Sequence, residues 1–248
     1  MMTTSNDVTD EATARLYLAA LYRLIDRHFP STDGIYNHIT LRLPERTNRF
    51  LIKRHEHLYE EVTASNLVVA DMTKDLDERS HVNKPGFILH STILRARPDV
   101  NCIVHIHSIV GLAMSAHGKG LRMLSQNALR FYKRIGSHAY EGITDDLGEG
   151  QRIAAALGPD NIVLVLQNHG LAIVGRTPRE AFERTRDYLI ACETQFLLEA
   201  AGAPMIEIST EICERTARQY LAHDSGRGSA DWPAWIRHLE RCDPGFRD

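Results

Sequence analysis

The 248-residue sequence contains no run of eighteen apolar residues, so no part of it reads as a membrane-spanning helix. Its first ten residues, Met1 to Asp10, are polar and acidic rather than basic and then apolar, which argues against a secretory leader. Cysteine is sparse. The four, Cys102, Cys192, Cys213 and Cys242, lack Cys-x-x-Cys spacing, so neither a zinc knuckle nor a disulfide framework is expected, and buried thiols in a reducing compartment are. No block of like charge accompanies the net charge of −3, which leaves no nucleic-acid footprint. No internal repeat and no second domain are visible. The expectation is one cytoplasmic domain over 1–248, with a core at 9–201 and a helical tail at 202–248, and no membrane or nucleic-acid partner.

What is present is ordinary for a globular chain, with 43% hydrophobic and 25% charged residues. Histidine is the exception: thirteen residues, more than this length leads one to expect, tilt the reading towards metal or proton chemistry. Two stand at the end of the apolar run Cys102-Ile103-Val104-His105-Ile106-His107. In a strand, side chains alternate faces, so His105 and His107 project to the same side and can offer two imidazoles to one ion. For an isolated His-x-His, strand-end histidines bonded to carbonyls are the more frequent outcome. A second apolar stretch from Ile162 ends in Asn168-His169-Gly170 before apolar character resumes to Gly175. Two strand ends bearing three histidines make a His₃ set with open positions, as catalytic Zn²⁺ or non-haem Fe²⁺ requires. The pair His55 and His57 has the same spacing, but charged neighbours make it read as a solvated loop.

Along the chain, spacing predicts an amphipathic helix over Asp10 to Phe29 and a half-buried strand from Ile39 to Leu43. A strand begins at Phe50, a helical turn is expected at Thr63 to Ser65, and another strand covers Leu67 to Ala70. A helix over Gly86 to Arg97 carries Pro85 in its first turn and His90 on an apolar face, where a satisfied core histidine is the simpler reading. A small-residue helix from Ile109 starts at the His-x-His strand, and its N-terminal amides could help hold an anionic oxygen. Helices are further expected at Leu147 to Leu157, and from a Thr177-Pro178-Arg179-Glu180 capping box to Ala201, with Glu183, Arg184 and Arg186 on the wet face. Two tail helices, Thr210 to Ala222 and Ala230 to Arg241, are joined by a glycine-rich turn, Asp224 to Gly228. Alternating helix and strand argues an α/β sandwich.

The ordered set Asn37-His38-Ile39-Thr40, Glu60-Glu61-Val62-Thr63-Ala64-Ser65, Asn83-Lys84-Pro85-Gly86-Phe87-Ile88-Leu89-His90, Arg97-Pro98-Asp99-Val100, His105-Ile106-His107, Tyr140-Glu141-Gly142-Ile143 and Asn168-His169-Gly170-Leu171 resembles the class II aldolase/adducin family. The resemblance covers Thr9 to Ala201. It implies a three-layer α/β/α sandwich on a central, mostly antiparallel sheet, commonly a homotetramer, with His105, His107 and His169 binding a divalent metal, usually zinc. The aldolases place two serines and a catalytic glutamate ahead of the helix histidine, where this chain has Lys84, Pro85 and Gly86. The glycine of their phosphate loop is replaced by Glu56. Both departures point to the adducin-like branch. The resemblance puts Glu141, Tyr140 and His138 near the metal edge as acid/base candidates, and Asn168 reads as orienting His169 or its loop rather than touching substrate. The leading expectation is a metal-dependent lyase, cleaving or decarboxylating a small oxygenated substrate with zinc, or with iron or manganese in its place. A non-haem iron oxygenase and a non-catalytic adducin-like module stay open.

Overall fold

The computed structural model describes residues 8–31, 33–44, 48–77, 79–143, 146–202, 204–225 and 230–248, of which the side chain of residue 225 is left aside. Most of the glycine-rich turn expected at Asp224 to Gly228 lies outside the described residues. The first helix, α1 (Glu11–His28), starts where the Asp10 carboxylate accepts the Thr13 N–H at 2.8 Å, an N-cap that satisfies one of the open first-turn donors. Four strands then build half of a sheet: β1 (His38–Arg42), β2 (Arg49–Ile52), β3 (Val68–Asp71) and, after helix α2 (Lys84–Ala96), β4 (Cys102–Ile106). Two short helices, α3 (Ile109–Ser115) and α4 (Gln126–Leu129), lead to β5 (Ile135–His138), α5 (Leu147–Leu157), β6 (Val163–Leu166) and β7 (Gly170–Gly175). The chain closes with α6 (Pro178–Ala201), α7 (Thr210–Ser225) and α8 (Asp231–Cys242).

The seven strands lie in the order β3-β2-β1-β4-β7-β6-β5, and every neighbouring pair is antiparallel except β5 and β6. That pair is parallel because α5 connects it, and a parallel return needs a crossover. Helix α1 packs on α6 and reaches β1 and β2, while α2 packs on α5 and reaches β1, with α5 against β5 and β6. The result is the three-layer α/β/α sandwich on a mostly antiparallel sheet. Tyr22 ties α1 to the sheet: its buried hydroxyl donates to the Ile39 carbonyl and accepts the N–H groups of Ile39 (2.8 Å) and Lys53 (3.2 Å).

Several expectations are corrected. Strand β1 is not half-buried, because His38 and Thr40 lie inside along with Ile39 and Leu41; the polar alternation faces α2 rather than water. The helical turn falls at Tyr59–Glu61, not at Thr63 to Ser65. At the start of α6, Thr177 Oγ1 accepts the Glu180 N–H at 3.2 Å as expected, but the Glu180 carboxylate reaches back to the Arg176 N–H at 3.0 Å, one residue beyond a capping box. Glu183 and Arg184 are not wet: both are buried, in ion pairs with Arg179, Glu180 and Asp224. The tail does pack on the body, with Trp232 and Leu239 of α8 buried and α8 against α1. Among the described residues no helix is long and apolar enough to cross a membrane.

Candidate metal centre and its cavity

Strands β4 and β7 pair with His105 opposite Ala172 and Ile106 opposite Leu171, and this register sets the site. It brings the end of β4, carrying His105 and His107, against the β6–β7 hairpin whose tip carries His169. The tip turns sharply because Asn168 adopts a left-handed backbone at φ 56°, a conformation asparagine tolerates. The Asn168 side chain is exposed, so its part is the turn rather than a contact with His169. Gly170 completes the approach: at φ 156° a Cβ there would lie 2.7 Å from Cδ2 of His107, so only glycine lets the ring close on the hairpin.

The three imidazoles converge, each offering a nitrogen within 4.8 Å of the others. Ring centroids are 4.6 Å apart for His105 and His107, 5.1 Å for His105 and His169, and 4.8 Å for His107 and His169. His105 Nδ1 donates to the Leu171 carbonyl at 3.0 Å, and His107 Nδ1 lies 2.6 Å from Asp33 Oδ2. A carbonyl or carboxylate oxygen accepts, so both Nδ1 atoms carry a proton, and in a neutral ring that leaves Nε2 presenting a lone pair. Those two Nε2 atoms face each other at 2.8 Å. Two acceptors at that distance repel unless a cation or a proton lies between them. Protonation is disfavoured: burial, together with His107, His38 and His169, holds His105 well below its ordinary pKa, and burial with His107 takes His169 down to about 4 despite Asp33. Three converging imidazoles, two of them oriented by oxygen acceptors on the far nitrogen, are a donor set that fits a divalent transition metal.

The wall beside them carries a histidine to which the sequence assigned no role. His38 stacks on His105 with centroids 4.8 Å apart and planes at 23°. Its Nδ1 is 2.7 Å from His90 Nε2, and His90 Nδ1 is 2.6 Å from Thr40 Oγ1. Burial drives His90 down to about 3 and His38 well below its ordinary value, so the pair is neutral. Rotation of the Thr40 hydroxyl then decides whether His38 Nε2 presents an N–H or a lone pair. The same ring occupies the space in front of position 86. A Cβ on Gly86 would stand 2.7 Å from both Cδ2 and Nε2 of His38; a carboxylate side chain at 86 and the His38 ring exclude each other. The signal available in sequence was the Asn37-His38 pair itself, whose role emerges only once β1 is laid beside β4 with His38 opposite His105.

A cavity of about 390 Å³ opens over this floor, lined by His38, His105, His107 and His169 and by largely apolar walls. Of the acid/base candidates, Tyr140 reaches it, with its ring centroid 6.3 Å from that of His169. His138 and Glu141 do not line it. Glu141 pairs with Arg152 (2.9 Å) and lies 3.3 Å from His138 Nε2, and the Arg152 hydrogen bond holds its carboxyl below the usual range. The start of α3 also lies off the cavity, with Ser108 Oγ accepting the Gly111 N–H at 3.2 Å. His55 and His57 belong to no metal-competent group among the described residues.

The model of the class II aldolase and adducin N-terminal domain matches residues 17–196. The crystal structure of an aldolase II superfamily protein from Pseudomonas syringae superposes with a TM-score of 0.87 at 36% identity, covering 98% of each chain. An L-fuculose 1-phosphate aldolase from Glaciozyma antarctica superposes at 0.80 with 27% identity, covering 96% of this chain and 93% of that one. Rat alpha-adducin is 41% identical over 231 residues, 91% of this chain, yet the match spans only 31% of adducin's own length. On the family match and these likenesses, the chain belongs to the class II aldolase and adducin family.

Proposed function

We propose that the chain is a divalent-metal-dependent lyase that cleaves or decarboxylates a small oxygenated substrate, with His105, His107 and His169 holding the metal and zinc as its identity. The observation that carries this reading is the convergence of three imidazoles in a buried site, with the Nε2 atoms of His105 and His107 facing each other at 2.8 Å. A bound divalent ion supplies Lewis-acid polarisation of carbonyl and hydroxyl oxygens. The residues supply the rest. Asp33 and the Leu171 carbonyl fix the tautomers of His107 and His105, so that both present Nε2 without a proton having to leave. His38, neutral and backed by His90 and Thr40, offers an N–H or a lone pair at the edge of the same cavity, the kind of group that proton transfer at a substrate carbon or oxygen needs. Tyr140 brings a phenol to the mouth. Glu141, tied to Arg152, serves as a surface anchor for its loop.

The adducin likeness keeps a second reading in play, a non-catalytic module, and the glycine at 86 favours it. Elemental analysis of protein purified without chelator separates them. About one zinc per chain, lost in His105→Ala, supports the lyase; iron with oxygen uptake would mark an oxygenase, and a native protein that neither carries nor takes up metal would mark the module. As part of the same proposal the chain is a cytoplasmic homotetramer, a size that sedimentation measures directly.

A further inference from the structure

The cavity over the three histidines differs in charge from a site built for a sugar phosphate. Among its described lining residues there is no lysine or arginine, and the one charged side chain is the carboxylate of Asp33. The nearby cations are committed elsewhere. Lys53 is buried and its Nζ donates to the carbonyls of Ile35 (2.9 Å), Arg54 (3.2 Å) and His55 (3.1 Å), using all three of its N–H bonds. Arg54 pairs with Glu56 at 2.8 Å. Lys84 is exposed and outside the lining. The first turn of α2, which borders the cavity through Asn83 and Pro85, offers little to an anion either: Pro85 has no N–H, and the Gly86 N–H donates to Asn83 Oδ1 at 2.9 Å.

The remaining walls are apolar. Leu89 and Leu166 line the interior, and Tyr36, Tyr140 and Ile143 stand at the mouth with 58%, 55% and 79% of their surface exposed. Large apolar side chains left in water around one opening mark a surface that gains by being covered. A volume of about 390 Å³ accommodates a ring-sized body beyond the metal-binding head.

Resting on the reading of the three histidines as a metal site, we propose that the ligand carries no phosphate: an oxygen-bearing head meets the histidine floor, and an aromatic or other apolar body lies against Tyr36, Tyr140, Ile143, Leu89 and Leu166. Specificity then comes from apolar coverage rather than from anion recognition.

Three hydroxamic acids with one chelating head and different bodies test this: benzohydroxamic, acetohydroxamic and phosphoglycolohydroxamic acid, each titrated calorimetrically into the full chain carrying one equivalent of zinc. The phenyl compound is expected to bind at least tenfold tighter than the methyl compound, about 1.4 kcal/mol, and the phosphate compound no tighter than the methyl one. Truncating two of the three exposed rim residues, Tyr140→Ala with Ile143→Ala, should cut the phenyl preference below threefold, with acetohydroxamate binding as the control for an intact floor. A preference for the phosphate compound, or a phenyl preference that survives the double truncation, overturns the inference and leaves the metal reading standing. Failure of zinc itself to bind overturns both.

Discussion

Among the described residues two clusters of side chains meet the spacing that a metal ion needs, His105/His107/His169 and Glu183/His223/Asp224, and they differ in what surrounds them. Around the second, every carboxylate has a guanidinium: Arg130 lies 3.6 Å from Glu183 and 3.5 Å from Asp224, Arg179 3.2 Å from Glu183, and Arg184 2.9 Å from Asp224. A cation there would displace arginines already in place. The histidine cluster instead meets oxygen acceptors on its far nitrogens, Asp33 at His107 and the Leu171 carbonyl at His105, and turns two Nε2 atoms towards one another. Proximity of donors is therefore a poor guide to a metal site; whether cations already neutralise those donors in the bare protein is the better one. The first cluster gathers three imidazoles at a cavity and the second ties α6 to α7.

The sharpest way to break this contrast is to remove one member of each cluster. His105→Ala should abolish stoichiometric zinc binding, an affinity loss of roughly a thousandfold or more for one of three ligands, with the circular dichroism spectrum retained. Asp224→Ala should do the opposite, leaving metal content unchanged while destabilising the fold by about 3–5 kcal/mol, because Arg184 and Arg130 are left buried without it. Denaturant unfolding reads the second effect and elemental analysis the first; a D224A variant that loses zinc would erase the distinction.

A smaller effect concerns the wall. Gly86→Ala should cost about 1–3 kcal/mol by forcing a methyl into the His38 ring, and in combination with His38→Ala most of that cost should vanish. Additive losses in the double-mutant cycle would show that the two positions do not compete for space.

The two clusters should also separate by pH. His169 is held near 4 in the folded chain against an ordinary 6.5, so between those values the unfolded chain binds the extra proton and stability of the metal-free protein falls as pH is lowered through that window. His38, His90 and His105 are displaced in the same direction by burial, which steepens the slope. For Asp224, burial raises the pKa but Arg184 and Arg130 outweigh it, leaving the carboxyl below its ordinary 3.8. Its contribution is present above 3.8 and is lost only as pH falls through the lower folded value. Melting temperature followed against pH should show the histidine loss first, with saturating zinc moving it to lower pH; a flat profile from 6.5 to 4 would contradict the account.

Much of the fold was legible because it rests on local rules. Leu147 to Leu157 matches α5, and the caps Asp10 and Thr177 open α1 and α6. The histidine triad was legible too, since alternation along β4 and a turn before β7 are properties of neighbouring residues. What escaped depends on partners distant in sequence. Glu183 and Arg184 read as a wet helix face because their charges are neutralised by Arg130, just past α4, and by Asp224 of α7. His38 was assigned no role because the groups that make it useful, His90, His105 and Gly86, come from α2 and β4. Glu141 showed the converse: the family resemblance put it near the metal edge, and Arg152, eleven residues on, holds it away from the cavity.

The most direct measurement of the central claim is X-ray absorption at the zinc edge for the full chain loaded with one equivalent of metal. The account predicts a shell of nitrogen and oxygen scatterers near ~2.0–2.1 Å with the outer-shell signature of three imidazole rings, falling to two in H107A wherever residual metal is held. A spectrum without imidazole scattering, or one unchanged in H107A, would contradict it.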